Sequence, residues 1–313
     1  MQRFKNILLV AGGTGWEANT LERAVALAKN NRARLSVVDV VEELPREMRR
    51  LLTSMDLADL QKLAVAERLK DLNHLIEPAM NKGVNVSAGV LIGKPFLEII
   101  RKVLRNSHDL VIKTARGKGG LKGLLFGSTA THLMRKCPCP VWVIKPTHRK
   151  KYARIMAAVD PDPHDKKRNA LNAKIMELAT SLGRREGSEL HVVHAWHLSS
   201  EKMLVLRGGL SHSDVDRMAR AMRAEHEGWL RELVDAYAPD TPTSRIHLLK
   251  GDAAEAIPAL AKRNGAELIV MGTVTRTGIA GYLMGSTAER VLQQVDCSVL
   301  TVKPAGFVTP VKT

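Results

Sequence analysis

The chain has 313 residues, 45% of them apolar and 26% charged, enough for two domains of ordinary size that each bury their own core. Aromatic residues make up 4%, too few for the stacking platforms of a single-strand nucleic-acid binder, and no apolar run approaches the ~20 residues of a membrane span. The net charge of +16 is unevenly shared, with 27 basic against 13 acidic residues in 1–151 and 21 against 19 in 152–313. The first half therefore calls for an anionic partner such as a nucleotide, RNA or an acidic protein surface, with a solvated basic surface as the plainer alternative. Three cysteines, an odd number, argue against a disulfide frame and for a reducing, cytoplasmic setting. Cys137 and Cys139 read as buried thiols rather than metal ligands.

Residues 7–11 form a short apolar run without alternation, which suits a parallel strand buried on both faces. A helix follows, with Leu21, Val25 and Ala28 on one stripe and Asn30 and Asn31 at its end. Residues 35–41 read as the second strand. Pro45 opens a long helical region to about Lys82, with Leu60, Leu63, Leu69, Leu72 and Leu75 on its stripe and Pro78 expected to kink or end it. Residues 84–92 alternate as a third strand, Pro95 suits the first turn of a helix, and 109–113 form a fourth strand. A glycine-rich stretch, a helix from Ser128 to Lys136 and a strand over 141–145 close the half. The sequence Arg46-Glu-Met-Arg-Arg50 reads as a wet helix face.

The second half repeats this order. Strands are expected at 153–159, 190–195, 245–249, 267–271 and 299–303, helices near 169–184, 214–237 and 286–294, and a further helix opening at Asp252. Asp252 and Glu255 are spaced as a capping box. Residues 196–213 have no counterpart of equal length and read as an insert, and the tail 305–313 as exposed. The repeat is numerical: Gly93/Gly251, Asp109/Glu267, Gly127/Gly285, Ser128/Ser286, Cys139/Cys297 and Lys145/Lys303 all differ by 158, whereas Ile7/Ile155 differ by 148 and Leu35/Leu190 by 155. Alternating strands and helices demand a parallel sheet covered on both faces, whose ligand site lies at the carboxyl ends of the strands.

Two stretches stand at that end. Residues 114–129 read TARGKGGLKGLLFGST and residues 272–287 read GTVTRTGIAGYLMGST. Each follows an apolar strand and opens a helix, so backbone N–H groups and the positive end of a helix dipole point at one place, as a phosphate requires. Ser128 and Ser286 read as helix caps, because no His and Asp stand at a spacing that would make them nucleophiles.

These loops, the turns at Gly93 and Gly251, the strands PVWVIKP and SVLTVKP and the tail Thr309-Pro310-Val311 resemble the universal stress protein family in its tandem form, over nearly the whole chain. The resemblance implies two five-stranded parallel-sheet domains of strand order 3-2-1-4-5, residues 1–147 and 148–306, with a tail at 307–313. It also implies a pseudo-twofold axis with the two terminal strands paired, since each apolar edge needs a partner. Nucleotide-binding members of the family carry an Asp after strand one, for ribose or adenine, and the pattern Gly-x2-Gly-x9-Gly-Ser/Thr for phosphates.

The second half matches that pattern at Asp160, Gly272, Gly285 and Ser286, with Val159, Ala195, Thr273 and Thr287 beside them, and departs at Thr275, where a glycine is expected. The first half matches at Gly117, Gly127, Ser128 and Thr129, and departs at Thr114 and at Gly12, where the Asp is missing. A β-branched Thr in place of a glycine needed for positive φ or close approach costs roughly 1–3 kcal/mol of strain. The first loop keeps Arg116, Lys118 and Lys122 and is suited to a phosphate without selecting adenine. The expected ligand is ATP or another adenine nucleotide in the second half, with Mg²⁺ carried chiefly by the phosphates. No second carboxylate is read beside Asp160 to support catalysis, so slow ATP hydrolysis is not expected. His191, His194 and His197 stand at a spacing that puts neighbours on opposite faces of a strand, which argues against a joint metal site. The alternative function is a nucleotide-independent adaptor, or a nucleic-acid binder working through the basic half. A second copy of the chain is a further candidate partner.

Overall fold

The computed structural model describes residues 4–12, 17–43, 57–115, 126–147, 149–198, 211–273 and 284–313. It divides into two compact units: the described residues up to 150 with 307–313, and the described residues from 151 to 306.

The first unit contains β1 (Asn6–Val10), α1 (Glu17–Asn31), β2 (Arg34–Val41), α2 (Leu57–Met80), β3 (Val86–Ile92), α3 (Pro95–Asn106), β4 (Leu110–Thr114), α4 (Ser128–Lys136) and β5 (Val141–Ile144). Its strands lie in the order β3-β2-β1-β4-β5, and β1–β2, β1–β4, β2–β3 and β4–β5 all pair in parallel. The second unit contains β6 (Arg154–Ala158), α5 (Lys166–Glu186), β7 (Glu189–Trp196), α6 (His212–Tyr237), β8 (Ile246–Lys250), α7 (Ala253–Arg263), β9 (Leu268–Gly272), α8 (Ser286–Gln294) and β10 (Ser298–Val302). Its order, β8-β7-β6-β9-β10, is the same arrangement, again all parallel. In each unit the first strand is central, and the residues of β1, β4, β6 and β9 are almost all buried apolar ones, as a strand covered on both faces requires. Strands β5 and β10 are buried along their whole length.

The repeat-related acids Asp109 and Glu267 perform one task in both units. Asp109 accepts hydrogen bonds from the backbone N–H groups of Lys5 (2.6 Å) and Asn6 (3.1 Å), while its own N–H donates to the Asn6 carbonyl (2.9 Å). Glu267 accepts from the N–H of Ala153, and its own N–H donates to the Arg154 carbonyl (2.9 Å). The acid ahead of the fourth strand thus ties down the start of the first and sets the register of the two central strands.

Three expectations need correction. Helix α2 runs through Pro78, which sits in its last turn, and the helix packs through Leu72, Ile76 and Ala79, whereas Leu63 and Leu69 face solvent. The start at Pro45 and the sequence Arg46–Arg50 lie outside the described residues, as does most of the insert, 199–210. The tail is not simply exposed, because Val311 is buried and the Arg101 guanidinium donates to the Lys312 carbonyl at 3.2 Å. The capping box at α7 is half formed. Asp252 accepts from the Ala254 N–H (2.9 Å), and Glu255 instead meets Arg290.

The acid tie can be measured. Asp109→Ala strips the acceptor from two backbone donors and is expected to cost about 1–3 kcal/mol, read as a lower urea midpoint at unchanged m value.

Candidate functional site

Strand registers decide what meets at the carboxyl rim. In the second unit Ala158 pairs with Val193 and with Met271, and Gly272 pairs with Val302. Advancing one residue aligns His194, Val159, Gly272 and Val302. The next level holds Ala195, Asp160, Thr273 and Lys303. The Val159 N–H still donates to the Val193 carbonyl (3.0 Å), so the pairing persists to the edge of that level. In the first unit Val10 pairs with Val38 and with Lys113, and Lys113 with Val143, so the corresponding level holds Val40, Gly12, Ala115 and Lys145.

Asn172, on α5 and 2% exposed, holds the turn that carries Asp160. Its Oδ1 accepts from the Asp160 N–H (2.9 Å) and its Nδ2 donates to the Asp160 carbonyl (2.8 Å), so the chain leaves β6 in one direction. The Asp160 side chain is 36% exposed and faces the Arg168 guanidinium at 3.7 Å. Arg168 also reaches Asp162 (2.9 Å) and Asp165 (3.5 Å). The expectation that no second carboxylate lies beside Asp160 is therefore corrected, since Asp162 and Asp165 follow within one turn of chain. Asp165 is occupied as the N-cap of α5, accepting from the Arg168 N–H (3.0 Å), and this hydrogen bond holds its carboxyl below the usual range.

The opposite side of Asp160 is formed by imidazole. His194, 1% exposed, places Nδ1 3.2 Å from the Val159 carbonyl and 3.9 Å from Asp160 Oδ1. A carbonyl only accepts, so Nδ1 carries the proton, Nε2 is the acceptor, and His226 Nδ1 on α6 donates to it at 2.8 Å. His226 is in turn stacked on Trp196 and edge-on to Trp229. His191 lies on the other face of β7 and meets His247 of β8, ring nitrogens 3.0 Å apart and planes inclined by 9°. An ion bridging two facing lone pairs would hold them about 4 Å apart, twice a zinc–nitrogen bond of about 2.0 Å, so this contact is an N–H···N hydrogen bond. Among the described residues no three metal-ligating side chains converge.

The glycine-rich stretches are bounded as follows. The Gly285 N–H donates to the Thr273 carbonyl (3.0 Å), which brings the start of α8 against the end of β9. The N-cap residues of α4 and α8 are Gly127 and Gly285, and neither helix has a side-chain cap. Ser128 and Ser286 are the first helical residues, not caps as the sequence reading had them, with Thr129 and Thr287 beside them. By contrast α5, α6 and α7 are capped by Asp165, Ser211 and Asp252. Gly127 has φ of 79°, which only glycine adopts cheaply. Gly117 and Thr275 lie outside the described residues.

Gly272 and Thr114 also change meaning. A Cβ on Gly272 would stand 2.8 Å from Leu171 Cδ2, so this glycine lets α5 approach β9. In the first unit α1 offers Thr20 instead, and Thr114 Oγ1 donates to Thr20 Oγ1 at 2.9 Å. Thr114 belongs to β4 and has no positive φ, so the strain expected of it is absent. A cavity of about 300 Å³, lined by Gly183, Arg184, Leu190, Asp240 and Arg245, lies at the amino-terminal end of β7, away from the rim.

The family model described as the universal stress protein family matches residues 3–145 and again residues 151–303. The chain therefore belongs to that family and carries its domain twice in tandem. It is similar to Universal stress protein E of Escherichia coli K12, 28% identical over 314 residues that span 100% of this chain and 98% of that one. Universal stress protein E of Photorhabdus laumondii is 27% identical over 315 residues, 100% and 99% of the two chains. Among solved structures, a functionally unknown protein from Pseudomonas aeruginosa PAO1 aligns with a TM-score of 0.74 at 24% identity, covering 97% of this chain and 94% of that one. A universal stress protein from Archaeoglobus fulgidus gives 0.60 at 21% identity, covering 98% and 99%. These two structural likenesses concern the fold.

Two outcomes are expected. Gly272→Ala pushes Leu171 aside at a cost of about 1–2 kcal/mol, and a double-mutant cycle with Leu171→Ala shows coupling of at least about 0.5 kcal/mol in thermal unfolding. The second concerns pH. Burial pushes both His191 and His247 below the ordinary value of 6.5, against Glu189, which raises His191, and with Arg154, Arg245 and Arg263, which lower one or the other. As pH falls below 6.5 the unfolded chain takes up these protons before the folded one, so the stabilisation is complete above that value and lost on acidification. The melting temperature should fall from about pH 7.5 to about pH 5.5, across the histidine range, and fall less steeply in a His191→Gln, His247→Gln double variant.

Proposed function

We propose that this chain is a stress-response binding protein that takes up an adenine nucleotide, ATP or a close relative, at the carboxyl rim of its second unit. The observation that carries the reading is the common level of Ala195, Asp160, Thr273 and Lys303, closed by the Thr273–Gly285 hydrogen bond that sets the start of α8 beside them. Val159, Ala195 and Gly272 give the site an apolar floor. Asp160, part-exposed and held by Asn172, is the acceptor for ribose hydroxyls or an adenine amino group. The N–H groups of Ser286 and Thr287 begin a helix that lacks a side-chain cap, the arrangement that receives phosphate oxygens. Thr275 would lie in the connecting loop, and Mg²⁺ would enter on the phosphates.

Binding rather than turnover is the better description. The three carboxylates near the site face one guanidinium, and Asp165 is committed to a helix cap, which leaves no carboxylate placed as a general base. In the first unit Gly12 and Ala115 stand where Asp160 and Thr273 stand, so Thr114, Gly117, Gly127, Ser128 and Thr129 form at most an anion loop. One observation favours a second reading. The excess of 27 basic over 13 acidic residues in 1–151 suits an adaptor that docks RNA or an acidic protein, in a cytoplasmic setting and with no nucleotide involved.

Calorimetry separates the two. One tight ATP site per chain is expected, weakened at least about tenfold by Asp160→Ala through loss of a charge-assisted hydrogen bond. Two equal tight sites, or affinity indifferent to Asp160, would contradict the nucleotide reading. Binding of RNA that collapses with salt and ignores ATP would establish the adaptor.

A further inference from the structure

Three side chains of the first unit gather round one aromatic ring. Phe96, in the first turn of α3 and 7% exposed, stacks on the His132 imidazole of α4 with ring centroids 4.3 Å apart. Lys136 Nζ stands 4.9 Å and Lys94 Nζ 5.3 Å from the centre of the same ring. The ring attracts cations electrostatically, and here it draws two of them to within about 10 Å of each other, inside the range over which charges still act on one another in physiological salt. Arg135 belongs to the same group. Burial, and then the charges of Lys136, Arg135 and Lys94, hold the His132 imidazole below its ordinary value of 6.5.

No acid balances this charge in place. Helix α4 contains no Asp or Glu, and the single acid of α3, Glu98, is bound to the Arg101 guanidinium and is not among the groups whose charge reaches His132. Among the described residues neither Lys94 nor Lys136 forms an ion pair. His132 Nδ1 is shielded from solvent and has no hydrogen-bond partner among them. Helix α3 also starts here, with Lys94 as an N-cap that offers no side-chain acceptor and proline at the first helical position, so the positive end of its dipole adds to the same field.

We propose that this cluster is a binding site for a tetrahedral oxyanion, a sulfate or a phosphoryl group, held between the start of α3 and the last turn of α4 by Lys94, Lys136 and Arg135, with His132 as a further donor. Three full positive charges call for a dianion rather than one carboxylate, and lysine ammonium groups, compact charges with rotatable donors, suit the tetrahedral arrangement of its oxygens. The site lies on the helices of the first unit and is independent of the nucleotide reading of the second. The plainer account is that Arg135 and Lys136 only complement the negative end of α4, where they occupy the last turn. That account covers two cations on one helix. It leaves out Lys94, which comes from a different element, and the imidazole nitrogen with no partner.

The test reads the site itself, through the ring signals of His132 in nuclear magnetic resonance spectra of the full chain, assigned against a His132→Asn variant. Sodium sulfate is the probe, because it keeps its double charge across the histidine range, and sodium chloride at equal ionic strength is the control for screening. An anion beside the imidazole favours its charged form, so the His132 titration midpoint is expected to rise in sulfate by at least about 0.5 pH, roughly a threefold gain in proton affinity, and to saturate as sulfate is added. In a Lys94→Met, Lys136→Met double variant, folded by circular dichroism, the midpoint is expected to be the same in both salts. If that variant does not fold, Lys94→Met alone, at an exposed position, is expected to weaken the sulfate dependence at least about threefold. Equal midpoints in the two salts for the wild type, or a sulfate shift that survives loss of the lysines, overturns the proposal. Neither result touches ATP binding at Asp160, which calorimetry reads separately.

Discussion

Register between parallel strands is the constraint on which the rest of this protein depends. In a parallel sheet, neighbouring side chains at one level share a face, and a slip of one residue would send each to the other side. Asp109 in the first unit and Glu267 in the second prevent that slip by holding the backbone N–H groups just ahead of the first strand, while their own N–H groups bond to its carbonyls. The clamp acts at the amino end of the sheet, and its effect appears at the carboxyl end, where the residues that follow β6, β9 and β10 are brought beside β7. Asp160 and Thr273 are 113 positions apart in sequence, yet both follow the same pair of neighbouring strands, β6 and β9.

Once the levels are fixed, divergence between the halves becomes a comparison of like with like. Asp39 in β2 and His194 in β7 occupy corresponding positions. Asp39 forms an ion pair with Arg68 of α2 at 3.1 Å, and His194 a hydrogen bond with His226 of α6 at 2.8 Å. Both tie the second strand to the long helix that follows it, one by an ion pair and one by an imidazole–imidazole hydrogen bond. The same holds where Gly272 faces Leu171 and Thr114 faces Thr20. The volume a glycine leaves for a leucine is replaced by a hydroxyl pair, so each substitution came with a matching change on the helix, and neither side is strained.

The fold was legible in sequence because the repeat is periodic, alternation of strands and helices calls for a parallel sheet, and the family resemblance implies the strand order. The offsets of 148, 155 and 158 residues are the same ones that relate Ile7 to Ile155, Leu35 to Leu190 and Lys113 to Met271 in the observed pairings. What stayed hidden depends on side-chain direction. Arg168 looked like one base among many, and its three carboxylates converge only because the Asn172 hydrogen bonds turn the chain back over α5. His226 lies beyond an insert with no counterpart, so no periodicity linked it to His194. Ser128 and Ser286 were misassigned by one residue, because Ser is a frequent cap whereas the cap here is the glycine before it. Gly272, matched in sequence to the phosphate pattern, also packs against Leu171 of α5, a contact no spacing revealed. A signal for the buried lysines Lys145 and Lys303 was present, since Lys-Pro ends both terminal strands, but burial is invisible in a composition that holds 48 basic residues.

That count bears on how the basic half should be understood. Cations such as Lys62, Lys70 and Arg105 lie exposed on helices, where each contributes little to holding a ligand and is screened within about 8–10 Å by physiological salt. They raise the local concentration of any anion and set how fast it arrives. In the second unit, where the surplus of charge is small, Asp160 would repel an anion placed beside it. Arg168 offsets that repulsion, since a guanidinium 3.7 Å from Asp160 and 2.9 Å from Asp162 reduces the negative field at the rim while leaving the Asp160 oxygens able to accept. The first unit has no acid at the corresponding position, which Gly12 holds, so the two rims differ in charge as well as in shape.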